Sequence, residues 1–146
     1  MTAFATALAV LAGLAGSVQV AVMARLGDRA GVFGALAFAT ALTALGAAVL
    51  LLLARQSLAG YAAAARAPVW MWSGSMMGLL IVLTITFAGS QIGTAATVGI
   101  LIAGQLAMGA VIDRFGLFGS DKIPLGWPRV LGLALLAAGA ALSLRR

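Results

Sequence analysis

Five apolar runs, separated by short polar stops, organise the chain. At 1.5 Å of rise per residue a helix needs about 17–25 residues to cross the hydrocarbon core of a bilayer, and each run is long enough to serve as a span. The first covers about residues 2–24, the second 32–53, the third 69–88, the fourth 94–112 and the fifth, the shortest, 128–144. No basic segment precedes the first run and no small-residue cleavage site follows it, so it reads as a span rather than a signal peptide. Ala67-Pro68 starts the third run with proline at the first helical turn, where a missing N–H costs nothing; Trp70 and Trp72 follow at interfacial depth. Trp127-Pro128-Arg129 repeats that signal before the fifth run. Between the third and fourth lies only Gly89-Ser90-Gln91-Ile92-Gly93, which predicts a tight antiparallel hairpin.

The remaining stops are also short. Residues 55–68, with Tyr61 and four consecutive alanines, suit a brief surface helix. Residues 114–126 (RFGLFGSDKIPLG) suit an interfacial coil, and the GLFGSDK within them fails the phosphate-loop pattern in spacing and in the residue after Lys. One all-α membrane domain over residues 1–146 is the fold class that follows, with no room for a soluble domain.

Composition agrees. Of 146 residues 64% are hydrophobic and 8% charged, against about 25% charged in a soluble domain; the mean hydropathy is +1.17. Nine basic and three acidic residues give a net charge of +6. The basic residues stand singly or in pairs at the ends of apolar runs, where they meet lipid headgroups, and no basic stripe with interleaved aromatics points to nucleic acid. There is neither Cys nor His, which removes disulfides, thiolate nucleophiles, histidine bases and the usual zinc sites; no cofactor is expected. No constellation for an enzyme remains.

Orientation follows the Lys/Arg count of short loops. The side holding the N-terminus carries Arg55, Arg66, Arg114, Lys122 and Arg129; the other carries Arg25, Arg29, Arg145 and Arg146. A bias of one charge leaves two readings open: a single orientation set by a weak cue, or dual topology, in which the chain inserts both ways and pairs antiparallel. In the second case two five-helix copies act as an inverted repeat, the architecture of alternating access.

Polar groups inside the spans narrow the chemistry. No carboxylate or ammonium stands at mid-depth: there is no Glu, Asp28 and Asp121 lie in loops, and Asp113 sits at the end of the fourth span, where it reads as an interfacial partner of Arg114 or a loop cap. Amides and hydroxyls remain. Gln19 shares a helical face with Ala12, Gly16 and Met23, and Gln105 has Gly104 beside it and Gly109 one turn on. Each glutamine can act as interhelical glue or line a polar cavity. From the span limits Gln19 lies about 8 Å, and Gln105 about 10 Å, from opposite faces, so in an antiparallel pair Gln19 of one copy comes level with Gln105 of the other. Thr84 and Thr97 are lesser cavity candidates, since threonines bond readily to their own helix. Gly74 and Gly78 form a GxxxG, and Gly132 and Gly139 share a face of the fifth span, as helix-packing or dimer contacts.

Gly16-Ser17-Val18-Gln19 with Ala24-Arg25-Leu26, Trp70-Met71-Trp72-Ser73-Gly74, Gly93-Thr94-Ala95-Ala96, Gly104-Gln105-Leu106, Ile112-Asp113-Arg114-Phe115-Gly116 and Arg129-Val130-Leu131-Gly132 together resemble the YdcZ family of the drug/metabolite transporter superfamily. The resemblance spans nearly the whole chain. It implies a five-helix inner-membrane unit that works as a dimer, with itself or with a paired homologous subunit. Met23 stands where many members have Asn, and Ser75 where they often have a second Gly. The chain is also similar to small multidrug resistance proteins at superfamily level, but lacks their first-helix glutamate, so cation/proton exchange does not carry over.

A small transporter of alternating access is the functional expectation, with Gln19 and Gln105 lining the cavity and a neutral polar or amphiphilic metabolite as cargo; an anion held by Arg25 or Arg114 at the cavity mouth stays open. The alternative is a non-transporting membrane subunit that stabilises a partner.

Overall fold

The computed structural model describes residues 2–55, 57 and 59–144. Arg145 and Arg146 of the charge count lie outside the described residues. Regular structure among the described residues is entirely helical: α1 (Thr2–Ala30), α2 (Val32–Arg55), α3 (Ala59–Ala65), α4 (Ser73–Ile92), α5 (Thr94–Phe115) and α6 (Trp127–Ser143), with short 3-10 turns at Val69–Trp72 and Leu117–Gly119. Four helices, α1, α2, α4 with its preceding turn, and α5, are long and apolar enough to cross a membrane, and α6 is a shorter apolar helix. Its 17 residues extend about 25 Å, at the lower limit for a span.

Several boundaries differ from the sequence reading. α1 continues to Ala30, past Arg25 and Asp28, because nothing before Gly31 breaks a helix; Gly31 then takes φ 74°, a conformation costly for a residue with a Cβ. The stop between α4 and α5 shrinks to Gly93 alone, at φ 84°: Gly89 to Ile92 have no reason to leave the helix, and one glycine at positive φ, which a residue with a Cβ rarely adopts, suffices to interrupt it. Pro68 precedes a 3-10 turn rather than the first turn of an α-helix, and α4 starts only at Ser73. Pro128 does occupy the first turn of α6. The 114–126 stretch is not a free coil. Gly116 caps α5 in the left-handed conformation with its N–H on the Ile112 carbonyl, and the Ile123 N–H donates to the Asp113 carbonyl at 2.9 Å, folding the loop back over the last turn of α5.

Two compact units divide the chain: α1 up to Ala21 together with residues from Gln91 onward, and Val22–Ser90. In the Val22–Ser90 unit the buried positions are Met23, Ala24, Ala35, Ile85, Thr86 and Gly89. The tightest point is Gly27, where an added Cβ would stand 2.8 Å from Thr86 Cγ2 and 3.4 Å from the Thr86 carbonyl oxygen; glycine there lets α1 and α4 approach at backbone distance. Trp72 Nε1 donates to the Ala64 carbonyl at 3.3 Å, tying the end of α3 to the entry of α4.

In the other unit α5 and α6 form an antiparallel pair. Gly99 is its close approach, an added Cβ meeting Ala140 Cα at 3.5 Å. The glycines singled out from sequence are elsewhere: at Gly74, Gly78, Gly132 and Gly139 an added Cβ would meet open space. Close packing inside the chain rests on Gly27 and Gly99, whose tight neighbours Thr86 and Ala140 come from distant helices and form no local small-xxx-small pattern.

Candidate functional site: the groove between α5 and α6

Gln105, Gly109 and Asp113 recur every four residues, so they share one face of α5; Arg129, Gly132, Leu133 and Leu136, related by steps of three and four, share one face of α6. The two helices touch at the Gly99–Ala140 crossing and are joined again at the far end, where Arg129 Nη2 donates to Asp113 Oδ2 at 2.5 Å. Between these points Gly109 and Gly132 have no side chain to fill the space. The result is an open cavity of about 410 Å³ lined by Gln105, Leu106, Asp113, Arg129 and Leu136 among others. A second, of about 310 Å³, continues from Leu136 towards Ser143.

The ion pair corrects the sequence reading. Asp113 is partnered by Arg129, sixteen residues away, and not by its neighbour Arg114, because consecutive residues on a helix point about 100° apart. The folded-back loop brings the first turn of α6 to the Asp113 side of α5. Arg129 is thus a site residue that sequence does not single out as one; its signals are its place after the Trp-Pro start of α6 and in the Arg129-Val130-Leu131-Gly132 block. The pair is 42% exposed at Arg129 and 26% at Asp113, open enough for another molecule to compete for it.

Hydroxyls and amides behave differently. Thr40, Thr43, Thr84, Thr86 and Thr97 each donate to the carbonyl four residues back, at 2.7–2.8 Å, so their polarity is spent within their own helices. Thr97 is buried at 2% exposure while Thr84 is exposed. Gln19 and Gln105 are both exposed, and neither side chain has a hydrogen bond among the described residues. Only Gln105 lines the groove. It stands at the middle of α5, eleven residues after Thr94 and ten before Phe115, with the ion pair two turns beyond, about 12 Å along the axis. Arg25 belongs to a separate concavity on the last turns of α1, with Asp28 and Arg29; Arg114 is exposed outside the groove.

A multi-helix apolar chain with no catalytic constellation among its described residues, a part-open groove and amides left without partners is what a membrane carrier would present. Among curated proteins and among solved structures, none matches. The family model described as "Putative inner membrane exporter, YdcZ", of the drug/metabolite transporter type, matches residues 4–142. That covers nearly the entire chain, and the chain belongs to the YdcZ family.

Proposed function

We propose that the chain is one half of an exporter that works by alternating access as an antiparallel, dual-topology dimer in the inner membrane, carrying a neutral polar or amphiphilic metabolite. The observation that carries this reading is Gln105. An amide in the apolar middle of a helix with no hydrogen bond costs several kcal/mol in hydrocarbon, and it persists here on the wall of an open groove, so its partner is another molecule: cargo, water, or a second copy. Gln19 is likewise exposed and without a hydrogen bond among the described residues, but it lies outside that groove. In an antiparallel dimer the two amides of each copy line one central cavity, with Thr84 and Thr97 contributing little because their hydroxyls are already bonded. Gly74, Gly78, Gly132 and Gly139, open within the chain, are then available to the second copy.

The chain has no Cys, so one introduced thiol reports sidedness without background. Ser120→Cys is placed in the exposed α5–α6 loop and labelled in intact cells with a membrane-impermeant maleimide, then again after permeabilisation. About half of the chains react before permeabilisation if the protein inserts both ways. Labelling of nearly all or nearly none removes the antiparallel homodimer: the homodimer is then parallel, or a separate subunit supplies the inverted half.

A further inference from the structure

Chemically the α5–α6 groove has a head and a body. At its head stand one carboxylate and one guanidinium, Asp113 and Arg129, bonded to each other and both part exposed. Its body is apolar, with Leu106, Leu133 and Leu136 as walls and Gly109 and Gly132 as floor. The head lies at the last turn of α5 and first turn of α6, where a span meets the headgroup layer; the body runs from there towards the middle of α5. Gln105 is a polar group on its wall.

The paired charges select the ligand. A simple anion that takes Arg129 strands the Asp113 carboxylate, and a simple cation that takes Asp113 strands Arg129; either leaves one charge without its counter-ion at the mouth of a mostly apolar groove. A head carrying both an ammonium and a phosphate or carboxylate exchanges one ion pair for two and strands nothing. We propose that this groove binds a zwitterionic amphiphile, its ammonium on Asp113, its anionic group on Arg129, and its apolar chain along the leucines past Gly109, where a carbonyl on the chain would satisfy the Gln105 amide. This rests on reading the groove as a binding site, but not on the topology of the dimer.

The test reads binding, so it stands or falls separately from the labelling experiment. Purified protein in a neutral detergent is melted in the presence of lysophosphatidylethanolamine, lysophosphatidylglycerol or free phosphoethanolamine. Lysophosphatidylethanolamine should stabilise at the lowest concentration, at least about tenfold below the anionic lipid. Asp113→Asn should erase that preference. Gly109→Leu, which adds bulk where a Cβ meets open space and keeps both charged side chains, should fold with a melting point no lower than the parent's and raise the half-saturating concentration at least about tenfold. Equal response to the two lipids, or a Gly109→Leu protein that responds like the parent, overturns the proposal. Equal potency of phosphoethanolamine overturns the amphiphile and points to a free zwitterion. A Gly109→Leu protein that turns monomeric while the parent ignores all three probes assigns the groove to a second copy instead.

Discussion

Gly27→Ala should lower the stability of the folded chain by about 1–3 kcal/mol, the range for overpacking a tight contact. Alanine is ordinarily the better helix former, so a loss at an interior helical position runs against intrinsic propensity and must come from the contact. The added Cβ would stand 2.8 Å from Thr86 Cγ2, a separation that cannot persist. Thr86 cannot simply turn aside, because its hydroxyl is held on the Val82 carbonyl at 2.7 Å and the residue is only 1% exposed. Either α1 and α4 separate or that hydrogen bond breaks. Thr86→Ala removes the methyl that clashes, so the double variant should regain much of the loss, with a coupling of about 1 kcal/mol or more in a double-mutant cycle. The residual cost reflects the Thr86 carbonyl oxygen, which stays at 3.4 Å from the new Cβ. Unfolding in mixed detergent micelles measures all four proteins; independent, additive effects would show that Gly27 matters for another reason.

That pair also marks where sequence stops being informative. The helices themselves are written plainly in the apolar runs, because each span must satisfy its backbone internally and cover a fixed thickness. Family membership is legible in the ordered Gln-, Trp- and Arg-containing blocks, and the match over residues 4–142 agrees. Boundaries are less legible. Charged residues end an apolar run without ending a helix, so α1 passes through Arg25 and Asp28 to Gly31, whereas one glycine with positive φ, Gly93, suffices to separate α4 from α5.

The same limit applies to the site. Gln19 and Gln105 stand out because an amide in an apolar run has an evident cost. Arg129 does not, since interfacial arginines are ordinary, and its pairing with Asp113 depends on how the loop after Gly116 folds back. Small-residue patterns give glycines that face open space, while Gly27 and Gly99, the glycines that fit against α4 and α6, sit opposite Thr86 and Ala140. A tertiary crossing is a property of two helices, and neither sequence alone carries it.

Pinning the orientation should split the protein into two halves that assemble only with each other. With five Lys/Arg on one side and four on the other, the count favours neither insertion, so a shift of two or three charges decides it. Arg25→Ala with Arg29→Ala leaves five against two and should bring the Ser120 loop to the cytoplasmic face, with maleimide labelling of Ser120→Cys in intact cells falling from about half to nearly none. Arg55→Ala, Arg66→Ala and Ala30→Lys together give three against five and should drive labelling to nearly complete. All of these positions are exposed at helix ends or in a loop, so packing should survive. Expressed singly with two different tags, each pinned form should fail to co-purify with itself. Expressed together, the two should co-purify as the antiparallel pair. If either pinned form pairs with itself as well as the parent does, the dimer is parallel, and the cavity shared between Gln19 of one copy and Gln105 of the other falls with it. If the parent already labels to one side and the substitutions leave it there, orientation is fixed by something other than these charges, and the inverted half of the exporter must come from a separate subunit.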